Sequence, residues 1–173
     1  ELVWAPGVAQ IDFGVAKARI AGELVDDHCL VVTFPHSNMR YVTSLPGENA
    51  ECLCHGLVEV FEHIGGVPPV IVMDNATGAG RRNARGEVTP AAVLDVFDIK
   101  KSLSHKGNPY DNAVVESTNR PLKKELVYRN HYTTIEQLRH DLNDYVWWSD
   151  NRRLHSTLGY RSPKEFTEQG LVL

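Results

Sequence analysis

Apolar and polar positions alternate along "VAQIDFGVAKARI" (residues 8–20), and the β-forming residues among them predict a strand. "AGE" at 21–23 is a turn signal, and "LVDDHCLVVTFP" and "MRYVTSL" follow as two further strands, so residues 8–45 predict a three-stranded antiparallel meander. In "NAECLCHGLVEVFEHIGG" the period changes to that of a helix, with Leu53, Leu57, Val60, Phe61 and Ile64 on one stripe. Gly65-Gly66 ends it and Pro68 prevents its continuation. "PPVIVMDN" has the short apolar run of a buried strand and finishes at Asp74.

The next segment, "ATGAGRRNARGEV", is rich in glycine and arginine and predicts a mobile loop. "TPAAVLDVF" predicts a short helix with Thr89 as N-cap and Pro90 at its first position, and "IKKSLS" a fifth strand. "HKGNPYDN" is a turn in which Asp111 or Asn112 can cap a helix running to about Val127, with Pro121 predicting a kink inside it. "TTIEQLRHDLNDYVWWSDN" is a second long helix, entered through Thr133 or Thr134, and Ser162-Pro163 opens a short last one. The order βββ–α–β–α–β–α–α predicts an α/β fold: a mixed five-stranded sheet, three antiparallel strands and then two parallel ones, with helices on both faces. All of residues 1–173 are expected to form a single domain, with the C-terminal helix and tail 134–173 packed on it.

Composition adds little to that picture, at 42% hydrophobic and 23% charged. No apolar run approaches a membrane helix, and "ELVWAPGVAQ" lacks a signal-peptide layout. The first residue is Glu1, so a fragment of a longer protein is expected. Cys29, Cys52 and Cys54 form no disulfide framework and point to a reducing compartment. The net charge of −4 disfavours a nucleic-acid partner, but its distribution does not. Residues 1–74 hold three Lys/Arg against ten Asp/Glu, and residues 75–173 hold fifteen against twelve, which suits a polyanion beside the second half.

Three acids fall where the predicted scaffold can bring them together. Asp12 alternates with apolar Ile11 and Phe13 and so lies on the opposite face of its strand. Asp74 ends the fourth strand, at the carboxyl edge where open α/β sheets gather ligands. Glu116 opens the helix after the fifth strand. Oxygen donors of this kind suit a hard divalent cation. Taken singly, each acid has a plain reading: a solvent-facing strand residue, a turn former, and one half of an i,i+4 pair with Arg120.

"QIDFG", "VIVMDN", "KGNPYDNAVVESTNRPLKKELVY" and "NRRLHSTLGYRSPKEF" together resemble the catalytic core of bacterial insertion-sequence transposases, members of the DDE transposase and retroviral integrase superfamily. The resemblance covers essentially the whole chain. Its most specific parts are 106–126 and 152–166; the first half is more similar to IstA-type transposases and the second to integrase-like ones. It implies a ribonuclease H-like fold, a catalytic and metal-binding triad on Asp12, Asp74 and Glu116, and two Mg²⁺ or Mn²⁺ ions per site. It further implies DNA end nicking followed by strand transfer. Two departures stand out: Asn75-Ala76 follows the second acid, and the 41 residues between Asp74 and Glu116 exceed the usual gap by several, which the Gly/Arg loop can absorb.

Double-stranded DNA is then the expected partner, bound by a homodimer or larger assembly in the bacterial cytoplasm at the nucleoid. A separate N-terminal region is expected to recognise the element ends. Glu116, Arg120 and Lys123 share a helical face, so cations stand beside the expected metal site. Lys106, Asn108, Asn112, Asn119, Lys124, Arg152 and Arg153 are further candidates for DNA contact, and His155 and Tyr160 match the tail. Zinc is not expected at Cys52, Cys54, His55 and His63, because residues 52 and 54 face different sides of a helix. At least one of Trp147 and Trp148 is expected in the core. Two rivals remain: a nuclease of the same fold that only hydrolyses, and a non-catalytic, element-derived DNA-binding or assembly protein.

Overall fold

A computed structural model describes residues 4–73, 94, 97–103 and 113–169. Strands β1 (Val8–Ile20), β2 (Glu23–Phe34) and β3 (Met39–Leu45) form the predicted antiparallel meander, and β4 (Val70–Met73) and β5 (Lys100–Leu103) add to the other edge of β1 in parallel. The sheet order is β3-β2-β1-β4-β5, and a two-residue strand β6 (His131–Tyr132) pairs in parallel with the last residues of β1. β1 is therefore central. Its first half is bracketed by β2 and β4, and Ile11 pairs with Met73 at the end of β4.

The pleat of β1 separates two cores. Ala9 and Ile11 face one side, where α1 (Ala50–Ile64) packs Leu53, Leu57, Val60 and Phe61 against Leu30, Val32, Ile71 and Met73. Ala16 and Ala18 face the other, with Cys29, Val31 and Val42 under α2 (Ala113–Pro121) and α3 (Ile135–Asn151). α1 begins at the Asn49 side chain, which accepts from the Cys52 N–H at 2.8 Å, and ends at Gly65 in the left-handed region with φ 69°. Cys52 is one of the buried residues of this helix.

After Pro121, α2 widens into a π-helical turn, Leu122–Val127, closed by the Tyr128 N–H donating to the Lys123 carbonyl at 2.9 Å. Proline has no N–H for the i→i−4 ladder, and a wider turn continues the helix without that bond. Thr134 caps α3 through Gln137, and a capping box between Ser162 and Glu165 opens α4 (Pro163–Glu168). The helix predicted over 89–97 and the caps predicted at Asp111 and Asn112 fall outside the described residues, apart from Leu94, which is helical and buried, and Phe97. No helix among the described residues is long and apolar enough to cross a membrane.

The expectation that Trp147 or Trp148 enters the core is wrong: they are 57% and 43% exposed. The buried stripe of α3 runs through Leu138, Leu142 and Ser149, with Ile135, Tyr145 and Val146 beside it, and the two tryptophans flank that stripe. Trp148 instead lies against Tyr145 and beneath the Arg153 guanidinium, 5.6 Å from its ring centre.

Candidate active site

Alternate residues of β1 face α2, and each of three makes a specific approach to it. Gln10 is fully buried and its Oε1 accepts from the Val115 N–H at 3.1 Å. Asp12 is half-buried and its Oδ2 accepts from Asn119 Nδ2 at 3.0 Å. Gly14 lies under the same asparagine: a Cβ on it would stand 2.9 Å from Asn119 Oδ1. One strand further out, the Thr33 hydroxyl meets Thr118 at 3.3 Å. Glu116 sits between the two residues of α2 that β1 holds, and its own side chain is exposed.

Two of the three expected acids, Asp12 and Glu116, are thus carried by elements tied to each other. The third, Asp74, follows the last residue of β4 and lies outside the described residues, as do Lys106, Asn108 and Asn112. Among the described residues no group of three or more His, Cys, Asp or Glu is placed to hold a metal ion. Nor does an ion pair join Glu116 to Arg120 among them. A pair of carboxylates, one half-buried and one at the surface, has the donor chemistry that hard divalent cations take.

The candidate DNA-binding residues divide by environment. Arg120 and Lys124 are exposed on and after α2, Lys123 is half-buried, and Arg152 is exposed at the end of α3. Arg153 is engaged internally: Nη1 and Nη2 donate to Glu125 at 2.9 and 3.2 Å, and Nη1 also reaches the Tyr145 hydroxyl at 3.1 Å. The Tyr145 hydroxyl donates to Glu125 at 2.7 Å, and with Arg153 it holds that carboxyl below the usual carboxylate range. Asn119 is buried at 7% exposure, with its amide turned to Asp12. Burial, helped by the cations of Arg40 and Arg153, pushes His155 down to about 4, so this tail histidine is neutral at pH 7.

Sequence reasoning missed a second set of buried polar groups. On the same side of the sheet, Asp27 is buried and accepts from the Ser44 hydroxyl and from Cys29 Sγ. Burial and then the Asp27 charge push the Cys29 thiol well above its ordinary range, which leaves it a poor nucleophile. Asp150, near the end of α3, accepts from the Arg40 N–H at 3.0 Å, with Arg40 Nε 3.4 Å from its other oxygen. No sequence signal marks that pair, because the partners are 110 residues apart. Gln10 and Gly14 were missed for the same reason, although both flank Asp12 at the even spacing of a strand face.

Known proteins resemble this chain in sequence over part of its length and in fold over nearly all of it. Residues 97–163 match the family model of the integrase core domain. Over 99 residues the chain is 41% identical to the transposase for insertion sequence element IS904 of Lactococcus lactis subsp. lactis (strain IL1403), a match covering 57% of this chain and 38% of that protein. Over 82 residues it is 38% identical to the transposase InsF for insertion sequence IS3fB of Escherichia coli (strain K12), covering 47% of this chain and 28% of that one. The matched part is therefore well under half the length of these relatives. Among solved structures, a chain of the simian T-cell lymphotropic virus intasome superposes with a TM-score of 0.75, at 17% identity, over 96% of this chain and 55% of that one. The catalytic core domain of BIV integrase does so with a TM-score of 0.69, also at 17% identity, over 96% of each chain. Part of the chain is thus similar in sequence to the integrase core domain and to insertion-sequence transposases, and nearly all of it has the ribonuclease H-like fold of these integrase structures.

Proposed function

We propose that this chain is the catalytic core of a transposase that nicks DNA at an element end and joins the freed end to a target. The observation that carries this reading is the tie between Asp12 on the central strand and the helix bearing Glu116, made through Asn119 at 3.0 Å. The pairing of β1 with β4 ends at Ile11 and Met73, one residue short of both Asp12 and Asp74, which supports Asp74 as the third acid. Asp12, Asp74 and Glu116 would hold two Mg²⁺ or Mn²⁺ ions. When bound, such ions stabilise charge on the attacking and leaving oxygens of an in-line displacement.

In the first step a water oxygen would lose a proton as it bonds to an end phosphorus, the bond to the 3′ oxygen would break, and that oxygen would take up a proton. In the second, the new 3′-hydroxyl loses its proton as it bonds to a target phosphorus, and the target's own 3′ oxygen leaves and is protonated. The two steps are one phosphoryl-transfer chemistry with different nucleophiles, so a single site serves both. Arg120, Lys123 and Lys124, with Lys106, Asn108, Asn112 and Arg152, would hold phosphates without reading sequence. Double-stranded DNA is the proposed partner and a dimer or larger assembly on it the working form, in the cytoplasm of a bacterium.

The test is nicking and strand transfer on a labelled oligonucleotide carrying the parent element's end, in Mg²⁺ and in Mn²⁺. Asp12→Asn, Asp74→Asn and Glu116→Gln are each expected to lose at least about 10³-fold in rate, the scale of removing a group that stabilises transition-state charge. Full activity in any of the three removes that residue from the site. Hydrolysis without joining of a pre-cut end assigns the chain to the nucleases instead.

A further inference from the structure

The metal site proposed above needs two carboxylates from unconnected elements at a fixed separation, and the structure shows what sets it. Among the described residues, two buried side chains hydrogen-bond between β1 and α2 beside Glu116: Gln10, whose oxygen takes the Val115 N–H, and Asn119, whose Nδ2 donates to Asp12. Val115 directly precedes Glu116, and Asn119 follows it by three residues, so the two bonds grip α2 on either side of the acid.

We infer that Gln10 and Asn119 are positioning residues that set the register of α2 on β1, and that Asn119 serves Asp12 rather than a DNA phosphate. The inference rests on the functional reading above. Three details support it. The Asn119 amide points its hydrogens at a carboxylate, the orientation in which it donates; reversed, two oxygens would face each other. Its other end, Oδ1, is buried with no hydrogen-bond partner among the described residues, a desolvation cost that is borne where the Nδ2 bond to Asp12 holds the side chain. Finally, Gly14 leaves the space in which Asn119 lies: a Cβ there would be 2.9 Å from Oδ1 and 3.2 Å from Cγ. An asparagine this short cannot move aside from such an obstacle and keep its bond to Asp12. Fixing one oxygen of Asp12 in this way leaves the carboxylate in one rotamer, the usual service of the groups behind metal ligands.

The inference is tested by Mn²⁺ affinity of the whole chain, read from the electron paramagnetic resonance of free Mn²⁺, beside DNA affinity in EDTA and unfolding in urea. Asn119→Ala is expected to weaken Mn²⁺ binding by about 10–100-fold, with DNA affinity in EDTA unchanged. Gly14→Ala, which removes no polar group, is expected to weaken it similarly by displacing Asn119. The double variant Gly14→Ala/Asn119→Ala should match Asn119→Ala alone, since the obstacle to the new methyl is gone. Gln10→Leu should also weaken Mn²⁺ binding, by freeing the Val115 end of α2. Wild-type Mn²⁺ affinity in Asn119→Ala, with binding abolished by Asp12→Asn, overturns the positioning role and leaves the functional reading standing. A fall in DNA affinity in EDTA, with Mn²⁺ affinity kept, returns Asn119 to the phosphate-binding set. Unchanged Mn²⁺ binding in Asp12→Asn overturns the functional reading and this inference together.

Discussion

Asp150 is drawn out of water, and burial dominates its chemistry even with Arg40 beside it: its carboxyl is pushed up to about 7. The guanidinium Nε is 3.4 Å away and makes no aligned hydrogen bond, so it acts by charge alone, beside the hydrogen bond from the Arg40 N–H. Because the folded value lies above the unfolded value of 3.8, the folded chain binds the extra proton at intermediate pH. Stability from that proton is fully present below the unfolded value and is lost as pH rises through about 7. Asp150→Asn keeps an acceptor for the Arg40 N–H and removes the ionisation. Relative to wild type, the variant should therefore improve by roughly 2 kcal/mol between pH 5 and pH 8, as measured by urea unfolding at both values. A difference that does not change with pH would mean that Asp150 is already ionised in the fold at pH 5. His155 bears on the wild-type profile in the opposite sense, since its lowered value makes stability rise with pH up to its unfolded range, but it is common to both proteins and cancels in the comparison.

Elements in this chain were legible wherever one local rule decided them. β1 came out of alternation, α1 from a helical stripe ended by Gly65, and α3 and α4 from Thr134 and Ser162 at their starts. What was not legible depends on how elements meet. The Gln10–Val115 and Asn119–Asp12 bonds span 105 and 107 residues, and nothing within either segment announces them. For the same reason the sequence suggested Asn119 as a surface residue facing DNA and placed a tryptophan of α3 inside, when the helix turns its Leu138 and Leu142 stripe to the sheet. Gly56 is a further case: within α1 it reads as a weak helix position, yet a Cβ there would lie 2.6 Å from Leu30 Cδ2 and 3.1 Å from Leu45 Cδ1. The missing side chain lets α1 lie close on β2 and β3. An alanine would gain about 1 kcal/mol of helix propensity and lose about 1–3 kcal/mol to overpacking. Gly56→Ala is thus expected to destabilise the chain by roughly 1 kcal/mol, against the gain that an exposed helical glycine would show. A rise in the urea midpoint would mean that Leu30 and Leu45 move aside freely.

Across the whole molecule, charge is distributed much as the fold distributes its proposed labour. The meander and α1 carry the acidic excess, and the basic excess lies after Asp74, on and around the helix that follows β5. A net charge of −4 would repel DNA if it were spread evenly, so the proposed binding would depend on a few local cations on and after α2. Of these, Arg120 and Lys124 are exposed, while Lys123 is half-buried and close enough to the interior to act on the Cys29 thiol. That difference makes the three unequal. Removing one cation that neutralises a phosphate should lower the slope of log K against log salt concentration by about 0.9 on duplex DNA. Arg120→Ala and Lys124→Ala are each expected to show that decrease and to weaken binding equally on element-end and unrelated sequence. Lys123→Ala should show a smaller one. The measurement is duplex affinity in EDTA at several salt concentrations, which removes any contribution from bound metal. A variant whose affinity falls on the element end but not on unrelated DNA would instead place that residue against a base edge, and α2 would then read sequence as well as carry Glu116.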